Sequence, residues 1–230
     1  MKSIKQFESK RNRVYLMQDA LKKCLYVEKH FADETAYRFE KDVYIRIGAS
    51  TSQKLIPEIL SYSDDEWICR YAYIEGMTVL AYLERCETLG DEKAATALLH
   101  QLFEWLIAFY CVYDEATNVS SGSAALADLN LKNFVFANDG RVFGIDFEEM
   151  AYENRMVSMI RLIAMYRQYA PTDSLFKQAA VRAFLTESTL EQLGEIGNVD
   201  LTALMYDAIY RSEVARIQHR RDGKRLSIRR

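Results

Sequence analysis

Leu126-Ala127-Asp128-Leu129-Asn130-Leu131-Lys132-Asn133-Phe134-Val135-Phe136 and, a short way on, Gly144-Ile145-Asp146-Phe147-Glu148-Glu149 decide the reading of this chain. Asp128, Asn133 and Asp146 sit in apolar surroundings at the ends of short strand-like runs, separated by five and then thirteen positions. Between them, Val135-Phe136 and Val142-Phe143 flank Asp139-Gly140, a strong hairpin signal that folds the chain back and predicts Asp146 beside Asn133. A carboxylate and an amide oxygen converging there make an oxygen-only pocket of the kind that holds Mg²⁺ when phosphate oxygens complete the shell. Asp128 then lies where it can accept a hydrogen bond from an attacking hydroxyl. Taken alone, Asp128 reads equally as a helix cap or a turn residue.

Upstream, the chain reads as mixed strand and helix. Val14-Tyr15-Leu16-Met17 and Cys24-Leu25-Tyr26-Val27 are β-prone runs on either side of a polar stretch, which predicts a hairpin whose second strand continues through Glu28-Lys29-His30-Phe31. Thr35, Phe39, Val43 and Ile47 then recur at helical spacing, with Asp33 as a cap and Gly48 as the stop. Two further strands, Ile56 to Tyr62 and Trp67 to Ile74, are joined by Ser63-Asp64-Asp65. After Gly76 helical periodicity dominates: Thr78 to Glu87, Asp91 to about Tyr113, Met156 to Tyr169, Ser174 to Leu185 and Leu201 to about Arg221, with Asp114 to Ala125 as a loop. The order predicts an α+β protein of two unequal lobes, a β-rich 1–75 and a mostly helical 76–230.

Composition narrows the function classes. The 230 residues are half apolar and 27% charged with two prolines and nine glycines, which excludes disorder and low complexity. Thirty basic against thirty-three acidic residues exclude a general polyanion binder. Basic and aromatic residues do not interleave along the body, so no specific nucleic-acid surface is expected. Four scattered cysteines and three separated histidines offer no zinc spacing and suit reduced thiols in the cytoplasm. No stretch approaches the roughly 18 apolar residues of a membrane span, and no signal-peptide core is evident. The end is basic: Arg216, Arg220, Arg221, Lys224, Arg225, Arg229 and Arg230 face one acid, Asp222. Such a run suits an anionic surface, or a solvated helix end whose cations complement the helix dipole.

With these residues in view, the chain resembles the protein-kinase-like superfamily, whose catalytic loop reads H-R-D-x-x-x-x-N and whose metal aspartate opens D-F-G. Asp146-Phe147-Glu148 is closer to the small-molecule branch, the aminoglycoside-phosphotransferase-like and Kdo-kinase-like proteins. No A-P-E motif follows, and helical sequence resumes soon after Glu149. The resemblance implies an ATP- and Mg²⁺-dependent phosphotransferase with Asp128 catalytic, Asn133 and Asp146 as metal ligands, and a small molecule or glycan as acceptor. It implies that Lys29 neutralises nucleotide phosphates, with Glu40 holding its ammonium; Glu34 and Asp42 are rival partners, and Lys29 on a half-buried strand has a plain solvated reading as well. Tyr73 and Glu75, in Tyr73-Ile74-Glu75-Gly76-Met77-Thr78, mark the hinge whose backbone would pair with adenine. Lys132 faces either the transferred phosphate or solvent.

Three departures point the other way. Leu126 replaces the histidine of the catalytic loop and Ala127 the residue after it. No glycine precedes Gly48, so there is no glycine-rich loop, and Lys10-Arg11-Asn12-Arg13 would have to substitute side-chain charge. Ser158 stands where relatives carry an aspartate that steadies the catalytic loop. These losses motivate a second expectation, a nucleotide-binding scaffold of the same fold without useful turnover.

Overall fold

Short alternating runs at the front of the chain pair into one antiparallel sheet. The computed structural model describes residues 2–21, 23–50, 54–117 and 124–228, the last eight as backbone only. Strands β1 (Lys2–Phe7), β2 (Arg13–Gln18), β3 (Leu25–His30), β4 (Ile59–Ser63) and β5 (Ile68–Ala72) lie in the order β1-β2-β3-β5-β4. The expected β2–β3 hairpin places Leu16 opposite Val27. β1, polar and almost wholly exposed, is absent from the sequence-based expectation; it is an edge strand whose lysines Lys2 and Lys5 face solvent. The expected strand Ile56 to Tyr62 begins only at Ile59: Ile56 is buried in the loop before it, as is Leu55, whose carbonyl is taken by the partners described below.

Helix α1 (Glu34–Ser50) lies across this sheet through its buried stripe Tyr37, Glu40, Val43, Tyr44 and Ile47. Asp33 caps it as expected, its Oδ1 accepting from the Ala36 amide at 2.9 Å. The helix does not stop at Gly48. That glycine lacks the left-handed backbone a C-terminal stop uses, and Ser50 Oγ still donates to the Arg46 carbonyl at 2.7 Å.

After the connection Tyr73-Ile74-Glu75 the chain enters a helical body. β6 (Gly76–Thr78) leads into α2 (Val79–Leu89), capped by Thr78 and ended by left-handed Gly90 at φ 69°. α3 (Glu92–Thr117) follows and buries ten side chains, among them Trp105 and Phe109. By length and hydropathy alone α3 meets the measure of a membrane span, contrary to the expectation that no stretch does; half of its most apolar window is packed inside the protein, as in a core helix. β7 (Ala125–Leu126), a 3₁₀ turn at Leu131–Asn133, β8 (Phe134–Ala137), β9 (Val142–Gly144) and β10 (Met150–Ala151) build two small sheets, β6-β8-β9 and β7-β10. The hairpin between β8 and β9 forms where Asp139-Gly140 predicts it, with Gly140 at φ 84°.

Helices α4 (Arg155–Gln168), α5 (Leu175–Phe184), α6 (Glu187–Gly197) and α7 (Ala203–Ile228) complete the body. The sequence-based reading omits α6, whose glycines discourage a helix. They serve packing: a Cβ on Gly194 would stand 2.6 Å from the Val199 carbonyl, and one on Gly197 2.8 Å from the Met156 sulfur. α7 runs past Arg221 into the basic stretch as far as Ile228. One continuous apolar cluster joins α1 and the sheet to α2, α3 and α4. The architecture is α+β and bilobal.

Candidate active site

β3 is the central strand of its sheet, hydrogen-bonded on both sides, so Lys29 has Val14 and Cys69 as lateral neighbours and is 5% exposed. A buried ammonium is costly unless paired, and here three carboxylates surround it. Lys29 Nζ lies 2.7 Å from Glu40 Oε2 and 2.9 Å from Glu148 Oε1, and it also contacts Asp146 Oδ1. Burial alone would lower the Lys29 pKa, but the charges of Glu40, Asp146 and Glu148 outweigh it and raise the value, so the ammonium stays charged. Glu40 is 1% exposed, and burial pushes its carboxyl up against the opposing pull of Lys29. The Tyr71 hydroxyl donates to Glu40 Oε1 at 2.7 Å and fixes the carboxylate from the other side. Glu40, rather than its rivals Glu34 and Asp42, makes this pair; those two are instead bonded to Arg38 and Arg46 on the exposed side of α1.

Asp146 is delivered by packing. The Leu55 carbonyl accepts from both Trp105 Nε1 at 2.7 Å and the Gly144 amide at 3.0 Å, clamping the end of β9. A Cβ on Gly144 would come within 2.4 Å of the Trp105 ring, so only glycine fits. Phe147 is buried and stacks on Phe109 at a ring separation of 5.1 Å. The residues on either side of it, Asp146 and Glu148, both contact the Lys29 ammonium. Asp146 itself adopts φ 67°, a left-handed conformation that a short polar side chain tolerates.

Asp128 and Asn133 form a second pair. Asn133 Nδ2 donates to the Asp128 carbonyl at 3.0 Å and to its Oδ2 at 3.4 Å, which leaves the Asn133 amide oxygen open to another partner. Asp128 is exposed. The pairs are coupled through backbone: the Ile145 amide donates to the Asn133 carbonyl at 2.9 Å, one residue before Asp146. Tyr73 and Glu75 lie on the connection between β5 and β6, where the Glu75 carbonyl accepts from the Asn138 amide at 2.9 Å. Gly76 follows because any Cβ there would meet the Phe136 carbonyl at 2.2 Å. Lys132 is exposed on the 3₁₀ turn.

Two residues escape the sequence reading. Glu148 belongs to the Asp146-Phe147-Glu148 stretch, but its contact with Lys29 gives it a place in the site that the spacing of Asp128, Asn133 and Asp146 does not assign. Its signal was the acidic pair flanking an apolar phenylalanine that must be buried. Asn12 has no such signal. It stands in the β1–β2 turn, donates from Nδ2 to Glu148, and accepts at Oδ1 from the Ala32 amide at 3.1 Å. The residue of Lys10-Arg11-Asn12-Arg13 that reaches the site is therefore an amide, and its partner is a carboxylate. Glu40, Asp146 and Glu148 present oxygens within 4.8 Å of one another. This all-oxygen set, which now surrounds the Lys29 ammonium, is of the type that suits a hard divalent cation such as Mg²⁺.

No family model matches the chain, and no curated protein does. Among solved structures it is similar to the kinase PK-1 of the Cydia pomonella granulovirus, at TM-score 0.50 and 14% identity. The match covers 70% of this chain, and the chain spans 62% of that protein's length. Likeness at this identity speaks of fold, and the fold it shows, with strands before Tyr73 and a helical body after Gly76, is a protein-kinase-like one.

Proposed function

We propose that the protein is an ATP- and Mg²⁺-dependent phosphotransferase of the small-molecule branch, related in design to aminoglycoside-phosphotransferase-like and Kdo-kinase-like proteins. The observation that carries this reading is the triple contact of the buried Lys29 ammonium with Glu40, Asp146 and Glu148 at the junction of sheet and helical body. Bound Mg²⁺ supplies neutralisation of phosphate charge. Lys29, held by Glu40, offers a fixed cation to the phosphates. Asp146, Glu148 and the free oxygen of Asn133 would hold the metal. Asp128, exposed and oriented by the Asn133 amide, accepts the proton of an incoming hydroxyl. Positioning and charge stabilisation account for most of the rate, since loose phosphoryl transition states ask little covalent help of a protein.

A small molecule or glycan is favoured as acceptor because α4 begins at Arg155, six residues beyond Glu149, leaving little chain for a protein-binding platform. The test is ATP consumption with Mg²⁺ over a panel of aminoglycosides, sugars and lipid-linked glycans, wild type against Asp128→Ala. Turnover that needs Asp128 supports the reading; equal rates for both proteins with every acceptor overturn it.

One observation favours the scaffold alternative. Asn12 and Lys29 both hold Glu148, so the turn that covers nucleotide in a phosphotransferase is here bonded to an acid of the site. Nucleotide binding without Asp128-dependent turnover is the outcome this alternative requires.

A further inference from the structure

The strand leading into the Asp128 loop is held by the ion pair of a buried arginine with no part in the chemistry above. Arg155, first residue of α4, is 4% exposed. Its two terminal nitrogens donate to both carboxylate oxygens of Asp114, near the end of α3, at 2.7 and 2.5 Å. Its Nε donates to the Ala124 carbonyl at 2.6 Å. The guanidinium lies 4.4 Å over the Tyr110 ring, and the Tyr110 hydroxyl accepts from the Leu126 amide at 3.3 Å. On its other edge the same strand pairs with β10, and the Ala127 amide donates to the Glu149 carbonyl at 3.2 Å.

Burying a guanidinium is expensive, and the cost is offset only when its fork is fully matched. Here the match is made to Asp114 and Tyr110 of α3 and to the backbone of Ala124, so a shift of the arginine breaks these contacts together. The contacts end on Ala124 and Leu126, within four residues of Asp128, whose own carboxylate is exposed and, among the described residues, tied only to Asn133. We propose that Arg155 is a positioning residue, which with Asp114 and Tyr110 sets where Asp128 stands by fixing the strand Ala125–Leu126. Leu126 and Ser158 offer no charged brace: Leu126 is buried apolar, and Ser158 Oγ donates to Glu153 at 2.9 Å. The inference rests on the phosphotransfer reading only for the task given to Asp128.

Amide hydrogen exchange on the full chain tests it, with peptides covering 124–133 and α2 as internal reference. Tyr110→Phe removes one acceptor and keeps the ring; Arg155→Lys keeps the charge and loses the fork. Both are expected to speed exchange at Leu126 and its neighbours at least tenfold while α2 is unchanged, and to lower Asp128-dependent kcat at least tenfold with the KM for ATP within twofold. Unchanged exchange at Leu126 in both variants overturns the proposal, as does equal acceleration in α2, which marks a merely structural pair. If wild type shows no Asp128-dependent turnover yet Leu126 responds as described, the brace stands and the phosphotransfer reading falls.

Discussion

Lys29 on β3 and Glu40 on α1 meet at 2.7 Å with both side chains almost completely removed from solvent. Tyr71, two strand positions from the Lys29 partner Cys69, closes the remaining oxygen of Glu40. The pair therefore does two things at once. It fastens the helix to the sheet, and it presents an ammonium of fixed position to the acids at the head of the helical body.

Replacing Lys29 alone separates these roles. Lys29→Met leaves Glu40 buried with only the Tyr71 bond, and loss of one partner from a buried pair costs about 3–5 kcal/mol. Adding Glu40→Met to Lys29→Met removes the stranded charge and restores most of that stability. Urea unfolding is expected to rank the double variant above the single one. On the proposal that Lys29 faces the nucleotide phosphates, neither variant should show a thermal shift with Mg²⁺ and ATP. A double variant no more stable than Lys29→Met would mean the buried charge is not the source of the loss.

Local periodicity placed Lys29 on a strand and Glu40 on the next amphipathic helix, but only the resemblance paired them; Glu34 and Asp42 stood as rivals until the packing of α1 on the sheet decided between them. The return of Asp146 toward Asn133 was legible in sequence, because Asp139-Gly140 dictates the hairpin. β1 was not legible: Lys2–Phe7 is polar, and its strand exists only through pairing with β2. Asn12 and Arg155 were hidden for a related reason. Their partners, Glu148 and Asp114, are 136 and 41 positions away, and no local pattern encodes a contact of that range.

Asp128 predicts the opposite signature from Lys29. It is exposed, and among the described residues its side chain is tied only to Asn133, so Asp128→Ala should change stability by no more than about 0.5 kcal/mol. If Asp128 is the general base proposed above, its loss costs about 10²- to 10⁴-fold in rate. Turnover measured against ATP binding is expected to fall by that factor with affinity unaltered. A matching loss of affinity would place Asp128 in nucleotide binding instead.

Gly144→Ala couples packing to the site. The new methyl meets the Trp105 ring and the Phe147 ring at 2.4 and 2.7 Å, so the end of β9 must move. Overpacking of this kind costs roughly 1–3 kcal/mol. Asp146 lies two residues on, so the variant should need several-fold more Mg²⁺ for half-maximal nucleotide-dependent stabilisation in a thermal-shift titration. A stability loss with unchanged Mg²⁺ dependence would show that Asp146 is positioned independently of β9.

The pH dependence of stability turns on Glu153, at the junction of α4 and α7. Its carboxylate accepts from both terminal nitrogens of Arg161 and from Ser158, with Arg216 at 3.6 Å, while the buried Glu213 shares Arg161 at 2.5 Å. The hydrogen-bonded Arg161 guanidinium is the main cause that pulls the Glu153 pKa from 4.5 to about 2, against the opposing effect of burial. Because the folded value lies below the unfolded one, the stabilisation is fully present above the unfolded pKa and is lost as pH falls through the folded one. Such a displacement corresponds to at most about 3 kcal/mol, and screening at this partly exposed site reduces it to about 1–2 kcal/mol. The melting temperature of the wild type should therefore decline between pH 4.5 and about 2 more steeply than that of Glu153→Gln. The variant, less stable at pH 6, should converge on the wild type at the acid end. Parallel curves across this window would show that the Arg161 network contributes nothing that depends on the charge of Glu153.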